Sequence, residues 1–229
     1  MIAPRDATAE TMLRAHAHTL GALDAALSLD IDRTPEDHTF FKAEKATLQS
    51  SFDTLFAADQ AFTKHLLLVT EAHQARVEVG DNVLDRGVRA AKARMKVELK
   101  SSSMPDGADH AFPSDISEIV DAERRVEPSL VLQVTARFGA VPDFPGKAAM
   151  KADLEGRANR QNQNFTDRDA AEVTESTLDS ALTQAITNGS DLLYRLEKRL
   201  LERFPREKVY VRAFFLDVAP PRKKAPKGA

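Results

Sequence analysis

From Thr34 onward the apolar residues fall into two columns that advance seven residues at a time, and no further proline follows Pro35 until Pro105. One column holds Phe41, Leu48, Leu55, Phe62, Val69, Arg76, Val83, Ala90 and Val97. The other holds Lys45, Phe52, Asp59, Leu66, His73, Gly80, Gly87 and Arg94. Together they alternate by four and three, the seam of a coiled-coil-like helix. Thr34-Pro35-Glu36-Asp37 supplies its start: a capping hydroxyl, a proline at the first helical position and acids in the first turn. The pattern predicts a helix over 34–103. Kept straight, it would be ~100 Å long at the usual rise per residue. Gly80-Asp81 is the place where it would bend or break.

Helical spacing recurs elsewhere. Met12, Leu13, Leu20, Leu23 and Leu27 predict a first helix from Asp6 to Leu27. Ser101–Pro113 and Gly139–Gly146 are loops by composition, and Ser114 caps a short helix between them. Gly156–Asn164 is nearly devoid of apolar residues, so it reads as a solvated stretch of helix or as a joint. Thr166-Asp167-Arg168-Asp169 then resembles a capping box, and Val173, Leu178, Leu182, Ile186, Leu193, Leu196, Leu200 and Phe204 predict a second long helix over 166–204. Lys208–Val218 has the β-branched and aromatic content of a strand but no partner strand, which favours a short helix or extended cap that packs Phe214, Phe215 and Leu216 over the bundle end.

These elements predict an all-α fold: an antiparallel bundle of four to five helices, two of them long and amphipathic, elongated unless the longer one folds back near Gly80. Residues 1–218 read as one helical-bundle domain, with a two-hairpin organisation split near 101–113 as the alternative. GDNVLDRGVRAAKARM from Gly80 echoes GSDLLYRLEKRLLERF from Gly189, as a duplicated hairpin would. Residues 219–229 read as a disordered, basic, proline-rich tail.

Composition supports helix, since glycine is scarce at 9 of 229 residues, and it narrows the chemistry. The chain has no cysteine, which excludes disulfides, thiolate catalysis and zinc–sulfur sites. The opening MIAPRDATA lacks the apolar stretch of a signal peptide, and no apolar run approaches the ~20 residues of a membrane span. A cytoplasmic protein is expected on that basis.

No catalytic motif is present. Glu-x-x-His, the pair that di-iron bundles use, does not occur, and Glu71/His73 and His16/His18 point to different sides of a helix. Gly-x-Ser-x-Gly and phosphate-cradling glycine loops are also missing. No metal, cofactor or catalytic residue is therefore assigned. Asp59, His73 and Arg76 occupy seam positions where apolar residues are usual. They read as a buried polar site, or more plainly as a register-fixing network or a stretch where the seam faces solvent.

One stripe has a positive geometric case. Arg86, Arg89, Lys92, Lys96 and Lys100 lie within about 120° on a helical wheel, as an anion-binding surface requires. The bland alternative is a solvated face balanced by neighbouring acids, because the net charge is −3 and cations are favoured near any helix C-terminus. Three functions follow. The first is a non-enzymatic interaction or assembly protein, a scaffold or adaptor that associates with itself or another protein through the long seam. The second is a module for nucleic acid or an anionic membrane surface that uses the basic stripe. The third is a small-molecule or cofactor site between helices, for which Asp59 and His73 are the only residues to name.

Overall fold

Thr34 caps its helix reciprocally: its hydroxyl accepts from the Asp37 N–H at 3.2 Å, while the Asp37 carboxylate accepts from the Thr34 N–H at 3.3 Å. The helix that starts there, α2 (Pro35–His65), follows α1 (Ala9–Leu29) and precedes a five-residue π-helical turn, Leu66–Thr70, and α3 (Glu71–Leu99). The short helices α4 (Gly107–Ala111) and α5 (Ser117–Val120) come next, then α6 (Glu127–Arg137) with a 3₁₀ turn at Phe138–Ala140. The chain ends in α7 (Lys147–Arg203) and α8 (Lys208–Ala213). This computed structural model describes residues 3–29 and 33–217. The fold is all-α, and the described residues contain no strand. The predicted basic tail, 219–229, lies outside them.

The chain forms two compact units, one of residues 1–65 with 175–229, the other of residues 66–174. In the first, α1 and α2 form an antiparallel hairpin tied by Lys45–Asp24, and the second part of α7 packs on it through Leu193, Leu196 and Leu200. Phe41 stacks between Phe204 and Phe214, with ring centroids 5.7 and 5.8 Å away. The stretch after Pro205 is thus helical in α8, and Phe214 at its end is buried. His16 is buried too. Its ring nitrogens meet the Met12 carbonyl and the Ser51 hydroxyl, and desolvation holds it below the ordinary histidine range.

The second unit is an antiparallel pair, α3 and the first part of α7, covered on one side by α4 and α6. Its core joins Leu84, Val88 and Met95 of α3 to Phe112, Val131, Phe138 and Leu154. Two expectations change here. Gly80 does not break the helix, and Gly156–Asn164 is not a joint but a stretch of the continuous helix α7, exposed at Asn159, Arg160, Asn162 and Gln163 and packed at Ala158 and Gln161. Gln161, only 1% exposed, donates from Nε2 to the Val77 carbonyl at 2.9 Å. Asn164 donates to Gln161 Oε1 at 3.1 Å, and Arg157 reaches the Val83 carbonyl at 3.1 Å. Amide and guanidinium groups take the place of apolar side chains because the facing positions are Gly80 and Gly87, where the backbones come close. The Thr166 capping signal is overridden as well: its hydroxyl bonds back to the Asn162 carbonyl inside the continuous helix.

A second difference is one of register. Phe41, Leu48 and Leu55 are buried as the heptad predicts, but beyond the π-turn the buried column is Val77, Leu84 and Ala91 rather than Arg76, Val83 and Ala90. A π-turn holds one more residue than the α-turn it replaces, and the buried column moves on by that one residue.

The glycine contact is testable. A Cβ on Gly80 would stand 2.0 Å from Gln161 Oε1 and 2.8 Å from Asn164 Nδ2, and neither amide can withdraw without losing its hydrogen bonds. Gly80→Ala is expected to destabilise by about 1–3 kcal/mol despite the better helix propensity of alanine. Gly156→Ala, whose Cβ meets nothing nearer than Arg160 Nη2 at 4.0 Å, should instead stabilise by up to about 1 kcal/mol. Chemical denaturation of both variants checks the pair. The reverse order would show that α3 and α7 do not meet at Gly80.

Candidate interaction face on the second unit

Part of the predicted seam of α3 thus lies outside the core: Val97 is 75% exposed, Arg76 and Ala90 are exposed and Val83 is half-buried, and Val79 beside them is 63% exposed. This outward strip and α7 enclose two adjoining grooves that share Val83 and Arg157. The first, of about 480 Å³, has a floor of Ala75, Val79, Gly80 and Val83, with Arg76, Arg157 and Arg160 around it. The second, of about 610 Å³, continues over Gly87, Ala90 and Ala149 and is flanked by Arg86, Arg94 and Asp153.

The charges in this lining are uneven. It contains five arginines and one acid, Asp153. Asp153 pairs with Arg157 at 2.8 Å, and Arg94 is held by Glu98 at 3.7 Å and by the Pro145 carbonyl. Arg86 donates to the Asn82 carbonyl one turn back, at 3.2 Å, and has no acidic partner among the described residues. Among the described residues the Arg76 and Arg160 side chains have no acidic partner.

The five predicted anion-binding residues do not stay together. Arg86 borders the second groove, Arg89 is exposed elsewhere on α3, and Lys100 is exposed just beyond its end. Lys92 is only 7% exposed and donates to the Ser114 carbonyl at 2.9 Å, closing the loop before α5. Lys96 lies 3.5 Å from Asp109, which also neighbours Lys92. Of the predicted polar seam, Asp59 is half-buried in the first unit, whereas His73 and Arg76 belong to the second. His73 is half-buried, and its Nδ1 is a buried nitrogen without a hydrogen-bond partner.

Sequence reasoning missed the second unit's buried carboxyl. Glu127, at the first position of α6 and 1% exposed, faces Asp81 and Asp85, one turn apart on α3. Burial, then hydrogen bonding and repulsion from Asp85 and Asp81, push its pKa up to about 9. The shift favours a shared proton among these carboxyls at neutral pH, with Glu127 the most strongly raised. Asp81 is also paired with Arg124 at 3.2 Å. Glu127-Pro128-Ser129 looks like an ordinary helix start in sequence, and only the packing of α6 on α3 buries it. Among the described residues no three histidines, aspartates or glutamates form a metal-holding group, and no helix is long and apolar enough to cross a membrane.

Compared with protein-family models, curated proteins and solved structures, the chain matches none.

The raised pKa of Glu127 sets a pH dependence. A carboxyl whose pKa is raised on folding contributes stability that is complete below its unfolded value and is lost as pH climbs toward 9. Glu127→Gln keeps a donor and removes the ionisation. The variant should melt with the parent at pH 5 and several degrees above it at pH 9. Parallel melting curves across that range would contradict the assignment.

Proposed function

We propose that this protein is a non-enzymatic helical interaction protein, a scaffold or adaptor, and that it works through the open side of the α3/α7 pair. The observation that carries this reading is the double-faced character of α3. Leu84, Val88 and Met95 serve the unit's own core, and Val77 on the same side is buried as well. Val79, Ala90 and Val97, on the other side, are exposed apolar residues, and Val83 between them is half-buried. A single exposed valine needs no explanation, but a strip of them beside two grooves is the form an interaction surface takes.

The π-turn adds weight, since such bulges concentrate at functional positions and here one stands at the origin of the strip.

A photo-crosslinking side chain placed at Val79 or Val97 in the source cells tests the reading. A discrete crosslinked species from both positions, and none from the exposed Val209 of the first unit, is expected. Free monomer from all three would contradict it.

A further inference from the structure

The open side of the α3/α7 pair is charged as well as apolar, and we infer that its occupant is an acidic amphipathic helix of a partner chain. This inference rests on the interaction reading above and names the partner's chemistry. Shape comes first. α3 and α7 run antiparallel with α4 and α6 on one side, so the other side offers the seat that an additional helix takes in a bundle. The two grooves run from Arg76 to Arg94, about 27 Å of helix axis, which an incoming helix of about 18 residues would span. Gly80, Gly87, Ala90 and Ala149 leave the floor clear of large side chains, and Val79 and Val83 give it apolar surface.

Charge then selects among helices. Arg76 and Arg160 stand at one end and Arg86 lies farther along, all exposed and none with an acidic partner among the described residues. The chain as a whole carries a net charge of −3, so this cluster does not reflect a general excess of cations. A helix with a small apolar stripe flanked by aspartate and glutamate meets both features, and electrostatic complementarity of this kind governs specificity and encounter.

The same pattern disfavours a second copy. A two-fold interface sets a patch against itself, and here that would bring arginine to arginine. Nucleic acid is disfavoured because no aromatic side chain lines either groove to stack on a base.

The test uses the full chain and two labelled peptide helices of 18 residues. Both carry the same alanine–leucine stripe, one flanked by glutamate and the other by lysine, and binding is read by fluorescence anisotropy. The glutamate peptide should bind, and raising the salt should weaken it. Arg76→Glu with Arg160→Glu should weaken it about tenfold or more. Neither side chain holds the fold together, so an unchanged circular dichroism spectrum and melting temperature serve as the control. Equal binding of the lysine peptide would overturn the charge inference and leave the interaction reading standing. No binding of either peptide, with crosslinking still seen at Val79, would overturn the acidic helix alone. Absence of both would end the two together. Binding of a short DNA duplex in place of the peptide, lost in the same double variant, would overturn the inference in favour of nucleic acid.

Discussion

α3 spends one side on the core of its own unit and leaves another outside, and its buried column begins after the π-turn at Leu66–Thr70. Phe41, Leu48 and Leu55 obey a strict seven-residue repeat, and so do Val77, Leu84 and Ala91, but the two series are one residue out of step. With the extra residue, the apolar pattern is duplicated: one copy is buried and the other looks outward.

The close approach of α3 and α7 depends on the second copy. Gly80 and Gly87 lie on the heptad columns, at positions where an ordinary seam would carry large apolar side chains. Without side chains they admit α7, whose Arg157, Gln161 and Asn164 bind backbone carbonyls of α3 instead of filling a hydrophobic layer. A polar contact of this kind demands full satisfaction, since a buried amide without partners costs more than a missing methyl group. On the other side of α3 the buried Glu127 is less fully satisfied: burial and the neighbouring Asp85 and Asp81 raise its pKa, and its Oε1 has no hydrogen-bond partner among the described residues.

Much of the architecture was legible in the sequence. The all-α class, the Thr34 start, the helix end before Pro205 and the short element after it follow from local capping and spacing, which are properties of neighbours along the chain. What escaped depends on partners distant in sequence. Gly156–Asn164 looked unfit for a packed helix because its apolar residues are few, and only the facing glycines make Gln161 and Asn164 suitable there. Lys92 belonged to a basic stripe on the wheel, yet the carbonyls of Pro113 and Ser114 draw it inward. The seam itself was recognised, but no residue in LLLVT announces that the helix will widen. The candidate face was therefore visible as a pattern while its orientation was not.

That orientation can be measured directly, because the chain contains no cysteine. Single cysteines at positions 77, 79, 84 and 97, made as Val77→Cys, Val79→Cys, Leu84→Cys and Val97→Cys, can be labelled with a thiol reagent under native conditions. The account predicts rapid labelling at 79 and 97 and protection at 77 and 84. Protection at 97 with rapid labelling at 77 and 84 would mean that the heptad runs unshifted through the π-turn, and the outward face described here would not exist.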